Sequence, residues 1–137
     1  MTEAQAFAVP PCCLVRRADD PLGPLFLKAR RDAKDYVNDY LVPVQAGADL
    51  ALIYLDPEAR LAVVAERPSL VEGPVLERGQ ASAPGDLIRT QEGFFIKLWD
   101  DKKGARHLAY VALASGLVWP RREQGLIAIH RAWRLEV

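Results

Sequence analysis

The segment from Pro24 to Val42 constrains this chain more than any other stretch. Leu25, Phe26, Ala29, Ala33, Tyr36, Val37, Tyr40 and Leu41 recur at three- and four-residue steps, the spacing that stacks side chains on one face of a helix. Lys28, Arg30, Arg31, Asp32, Lys34, Asp35, Asn38 and Asp39 fall on the other face, where Lys28–Asp32 and Arg31–Asp35 are i,i+4 pairs of opposite charge. Asp19-Asp20-Pro21 and Gly23-Pro24 supply turn and start signals, and Pro43 supplies a stop. The spacing predicts one amphipathic helix over about 24–42. Its apolar stripe, Phe26 and Val37 included, then has to pack on a sheet, with the hydroxyls of Tyr36 and Tyr40 reaching polar partners.

After Asp49 the texture turns to short apolar runs separated by turn residues. Leu50 to Leu55 and Leu61 to Ala65, flanking Asp56-Pro57-Glu58, read as a β-hairpin; Phe94 to Trp99 and His107 to Leu113, flanking Asp100 to Gly104, read as a second. Cys12 to Val15, Asp86 to Arg89 and Leu117 to Trp119 read as further strands. Leu126 to Val137 reads as a last strand with Ile127, Ile129, Arg131, Trp133 and Leu135 on one face. The two hairpins resemble each other in sequence, which a shared residue alphabet explains without a repeat. The expected fold is α+β, one helix packed on a mostly antiparallel sheet of about five to seven strands. The whole chain, 1–137, reads as one domain, with a flexible N-terminus over 1–9 and a Pro/Gly-rich loop over 68–84 that holds a short extended piece at Val75-Leu76.

Composition excludes several classes. Of 137 residues, half are apolar and 26% charged, so a core can form without metal or disulfide support. Lys plus Arg equals Asp plus Glu, for a net charge of +0, against the basic excess usual in polyanion binders. It also lowers the barrier to self-association, so a homo-oligomer is compatible with the sequence. Cys12 and Cys13 are the only cysteines; neighbours in sequence do not readily bridge, and a reducing, cytoplasmic location is expected. No basic stretch followed by a long apolar run marks a signal peptide, and no apolar run reaches the ~18 residues of a membrane helix.

Chemistry-bearing residues are sparse. His107 and His130 lie far apart, and Cys12-Cys13 lacks the two-residue gap of a zinc pair; the vicinal thiols read as small apolar strand residues rather than a soft-ion or redox site. Asp86, Asp100 and Lys102 could serve a nuclease-like metal site, but Asp100-Asp101-Lys102-Lys103-Gly104 has the composition of a solvated turn. Ser82, followed by Ala83-Pro84-Gly85-Asp86 and then Lys97, resembles the Ser/Lys pattern of self-cleaving repressor-type peptidases, which implies a serine nucleophile with a lysine base. That family has a longer segment between its Gly-Asp and its lysine, and Ser82 reads as a loop residue. No phosphate loop, dinucleotide fingerprint or calcium loop is present. No catalytic residue, metal ligand or cofactor is expected.

The C-terminal part stands apart. From Lys97 onward basic residues outnumber acidic ones, and Trp99, Trp119 and Trp133 all lie there. Pro120 and Gly125 bracket the polar tip Arg121-Arg122-Glu123-Gln124, and Lys102-Lys103-Gly104-Ala105-Arg106 forms a companion turn. If both lie at one end of the sheet, Lys102, Lys103, Arg106, Trp119, Arg121 and Arg122 make one binding surface. Trp and Arg are enriched at protein–protein hot spots, so the expected function is a non-catalytic binding or regulatory protein whose partner is another protein. A small nucleic-acid-binding protein using the same basic and aromatic residues is the alternative, and an enzyme of unknown class is the third.

Overall fold

The computed structural model describes residues 2–77, 79–102, 104–120 and 122–137. Its described residues are almost entirely β, and the α+β expectation is overturned: the 24–42 segment is not a helix but two antiparallel strands, β3 (Phe26–Asp32) and β4 (Val37–Pro43). The helical spacing arose because both faces of this hairpin are covered. A strand buried on both sides loses its alternation, and the turn at 33–36 resets the phase. The supposed polar face contradicts a surface helix outright, since Lys28 is 0% and Asp39 3% exposed. The i,i+4 pairs are replaced by cross-strand ones: Lys28 and Arg30 both meet Asp39.

The earlier strands are β1 (Thr2–Gln5), which pairs with β6 (Arg60–Ala65), and β2 (Leu14–Arg17), which lies between β6 and β3. A single 3-10 turn, Ala6–Ala8, follows β1. β5 (Ile53–Leu55) pairs with β4, not with β6, so the first expected hairpin is absent: β5 is an edge strand, and after the Asp56 turn the chain crosses to β6, between β1 and β2. The second hairpin is present and longer, β9 (Gly93–Lys102) with β10 (Ala105–Ala112). β7 (Ser69–Glu72) lies within the Pro/Gly-rich stretch, and β8 (Leu87–Thr90) pairs with β9. β11 is Val118–Trp119 and pairs with β10. The expected last strand is two: β12 (Leu126–His130) pairs with β8, and β13 (Trp133–Glu136) with β7. No helix among the described residues is long and apolar enough to cross a membrane.

Backbone bonds outside the ladders join the sheets into a ring. Leu52 N–H donates to Trp99 O and Trp99 N–H to Leu50 O, each at 2.8 Å, linking the approach to β5 with β9. Arg30 N–H donates to Gly116 O at 3.0 Å, linking β3 with the start of β11. The circuit β3, β4, β5, β9, β10, β11 thus returns to β3. Inward positions follow the two-residue period: Leu27 and Ala29, Tyr40 and Val42, Ile96 and Leu98, Ala109 and Val111, with Val118, form one buried cluster. Trp133 and Leu135 of β13 plug one end of it, where Leu135 N–H donates to Val44 O at 2.6 Å and Ala46 N–H to Trp133 O at 2.9 Å. A second cluster on the outer face of β2, β3 and β4 takes in Val9, Cys13, Val15 and Leu41 beneath the 3-10 turn.

Candidate functional site

The other end of the ring is open, and the two-residue period decides what lines it. One step beyond Ala29, Leu98 and Ala109, the inward positions are Arg31, Asp100 and His107. They border a cavity of about 840 Å³, within the roughly 300–1,000 Å³ range of ligand pockets and in a barrel mouth, where such pockets occur. Asp100 sits opposite His107 across β9 and β10. One terminal nitrogen of Arg31 donates to Asp100 Oδ2 at 2.7 Å and to the Tyr40 hydroxyl at 3.2 Å. Arg31 and Asp100 are both largely buried, so this charge-assisted bond fixes the polar floor.

The rim comes from outward positions. Trp99 and Leu108 are cross-strand partners, as are Asp101 and Arg106. The Arg106 guanidinium lies 4.8 Å from the Trp99 ring centre and its Nε donates to Asp101 Oδ1 at 2.6 Å. On the same side, Leu108 is 39% exposed and Trp119, on the neighbouring β11, 36%, and the Arg122 guanidinium stacks 4.2 Å over the Trp119 ring. Tyr36, half exposed, comes from the β3–β4 turn.

Of the residues singled out in the sequence, Arg106 and Trp119 line this one cavity, whereas Arg122, with Glu123 and Gln124, borders a separate hollow beside Glu92. Arg122 packs on Trp119 and approaches Glu92 at 3.8 Å. Lys103 and Arg121 lie outside the described residues, as does the side chain of Lys102. Arg31, His107 and Tyr36 carry no site expectation in the sequence, and Asp100 only that of a metal ligand, set aside for a turn. Read as strand positions, Leu27, Ala29 and Arg31 share one phase, and that was the available signal.

Ser82 and Lys97 do come together, although their spacing argued against it. Lys97 Nζ donates to Ser82 Oγ at 2.8 Å, to Glu123 Oε2 at 3.0 Å and to the Ser82 carbonyl at 3.4 Å. The Ser82 and Tyr110 hydroxyls each donate to Glu123. Lys97 Nζ and Ser82 Oγ both converge on the Glu123 carboxylate, which makes an ion-paired cluster rather than an isolated serine–lysine pair. The arrangement is a clasp joining the loop before β8 to the turn after β11. Burial pushes the Glu123 carboxyl up, but the hydrogen bonds from Ser82, Tyr110 and Lys97, with the charge of Lys97, outweigh it and hold the group below its ordinary value. A carboxyl depressed in the folded state adds stability above its unfolded value, and that stability is lost as pH falls through the folded one. Melting temperatures measured from neutral to acid pH should therefore fall less steeply for Glu123→Gln than for the parent chain; parallel curves would remove the clasp's role.

Asp86 accepts two bonds from Arg131, at 3.1 and 3.0 Å, and is separate from Asp100, which serves the mouth. Among the described residues no group of three or more His, Cys, Asp or Glu could hold a metal ion. Cys12 and Cys13 are free and buried; burial pushes both thiols up, away from the thiolate that redox chemistry and metal binding need. No family model matches the chain, and neither the curated proteins nor the solved structures contain a match.

Proposed function

We propose that this chain is a non-catalytic binding protein that engages another protein at the open end of its strand ring. The observation that carries this reading is the charge balance of an aromatic cavity. Tyr36, Trp99, Leu108 and Trp119 give it apolar walls, while Arg31 and Arg106 are matched by Asp32 and Asp100. Aromatic residues and Arg are the types enriched at protein-binding surfaces and their hot spots. A nucleic-acid groove needs uncommitted cations, whereas Arg106 is tied to Asp101, Arg131 to Asp86 and Lys97 to Glu123. Buried free thiols at Cys12 and Cys13 suit a reducing cytoplasm.

The test is a capture from native-host lysate with the parent chain and with Trp119→Ala/Leu108→Asp. Both side chains are on the surface, so the variant should melt close to the parent. A protein partner should bind the parent, survive nuclease and high salt, and bind the variant roughly 30-fold or more weakly, as loss of a hot-spot tryptophan implies. Recovery of nucleic acid, lost steeply with salt, would favour the alternative. Recovery of only a second copy of the chain would make the patch a homo-oligomer interface.

A further inference from the structure

We propose that His130 is a proton-operated latch between β12 and β7: on taking up one proton at Nε2 it closes onto the Glu72 carboxylate and tightens the hold of β7 and β13 on the five-stranded sheet. The chain leaves β7 and passes along the free edge of β12, where Val75 pairs with His130 and Leu76 N–H donates to Ile129 O at 2.8 Å. His130 stands at this crossing, so whatever its ring binds joins the two sheets.

Strand phase puts the imidazole on the inner face of the five-stranded sheet. His130 is the cross-strand partner of Leu87, which belongs to the apolar interior, and its ring centre lies 6.4 Å from that of Phe94. The side chain is only 4% exposed. Its Nδ1 is 2.7 Å from the Gly73 carbonyl oxygen. A carbonyl only accepts, so Nδ1 carries the proton of the neutral ring and Nε2 is left a bare acceptor. Nε2 is the one buried side-chain polar atom without a hydrogen-bond partner among the described residues. The oxygen facing it, Glu72 Oε2 at 3.9 Å, is an acceptor too. The neutral latch thus holds two acceptors face to face with no hydrogen between them, and one proton converts this into a charge-assisted bond. The Gly73 carbonyl is fixed meanwhile: Gly73 N–H donates to Ala132 O at 2.8 Å, and a Cβ on Gly73 would lie 2.4 Å from that same oxygen. Nδ1 therefore keeps its acceptor, and the added proton goes to Nε2.

The other groups around the ring leave this role to Glu72. On β12 Arg131, next in sequence, is paired with Asp86. β8 presents Leu87, with the exposed Arg89 two residues further along the same face, and β9 presents Phe94. On β13 the partner of Glu72 is Trp133, and Arg134 is paired with Glu136. The segment after Gly73 brings the apolar Val75 and Leu76. Among the described residues Glu72 is the carboxylate within 4 Å of the ring, and it is half exposed.

The experiment is NMR of the isotope-labelled full chain from about pH 8 to about pH 5, the span in which histidines change charge. It follows the ring nitrogens of His130, with amide hydrogen exchange at both ends of the span. At the upper end the ring proton is expected on Nδ1. At the lower end Nε2 is protonated as well, and the protection factors of Gly73 and the β7–β13 ladder amides are about tenfold higher, as one added charge-assisted hydrogen bond implies. Glu72→Gln offers an amide donor to the neutral ring and no counter-charge to the protonated one, so it should lose this rise; His130→Gln should lose it too. A ring proton on Nε2 at the upper end, or an Nε2 still bare at the lower end, would overturn the latch. A rise of equal size in Glu72→Gln would overturn it as well, by tracing the effect to other groups. The tautomer and protonation readings use the parent chain alone, so they decide even if His130→Gln does not fold.

Discussion

Asp39→Leu should lower the unfolding free energy by about 3–5 kcal/mol, a large fraction of the 5–15 kcal/mol typical of a domain. Asp39 sits on β4 and accepts through one oxygen from Lys28 Nζ at 2.9 Å and Arg30 Nε at 2.8 Å. Lys28 is completely buried, and among the described residues its ammonium also donates to the Val9 carbonyl at 2.9 Å. Removing the carboxylate leaves an ammonium in the interior with no counter-charge. The reciprocal change is milder, because Lys28→Met leaves Asp39 paired with Arg30, so a loss well under half as large is expected. The double replacement should recover most of the stability, since an apolar pair substitutes well for a buried ion pair. Burial already depresses the Lys28 amine, and the hydrogen bond and charge of Asp39 oppose that. A lysine lowered in the folded state gains stability as pH rises from its folded value toward its unfolded one. The deficit of Asp39→Leu should therefore shrink in denaturant melts taken near about pH 10. A deficit that is equal for the two single variants and independent of pH would show that the ion pair does not set the cost.

This cluster also marks how far the sequence could be read. Elements whose apolar runs are punctuated by clear turn chemistry were legible: β9 and β10 around Gly104, β8 after Gly85-Asp86, and the short β11 before Pro120. The 24–42 segment was not, because Lys28 and Asp39 were assigned to water by their charge, while their burial depends on each other across a hairpin turn. Once both are moved inside, Leu27, Ala29, Arg31 alternate with Phe26, Lys28, Arg30, and a strand phase emerges. Pairing was legible only for neighbours in sequence. β5 and β6 are separated by a good turn yet do not pair, β5 being an edge of the six-stranded sheet and β6 lying between β1 and β2, a choice made by long-range partners that periodicity does not encode. The mouth was half legible for the same reason. Trp119 and Arg106 stood out by residue type, and Asp100 lies beside Arg106 in the β9–β10 hairpin, but Arg31 joins them only through the closure of the ring.

Trp133→Ala should destabilise the fold by about 3–5 kcal/mol, lowering the melting temperature by roughly 10–20 °C. The indole is 5% exposed, plugs the end of the ring opposite the mouth and packs in the same cluster as Leu14, Leu87 and Leu98. Its Nε1 donates to the Gly85 carbonyl at 2.8 Å. The surrounding backbone has little room to close over a lost side chain. Gly85 holds φ +102°, and a Cβ there would lie 1.9 Å from the Gly47 carbonyl oxygen, so the 85 and 47 loops are already in backbone contact. A site that cannot collapse keeps its cavity, which puts the expected loss at the upper part of the range. Trp133→Phe separates the two contributions: it retains much of the volume but leaves the Gly85 oxygen without its donor, for about 1–3 kcal/mol. Because the plug and the mouth lie at opposite ends of the ring, Trp133→Phe should bind a mouth-directed peptide as the parent does. Equal losses from the alanine and phenylalanine variants would assign the whole effect to the hydrogen bond and refute the plug.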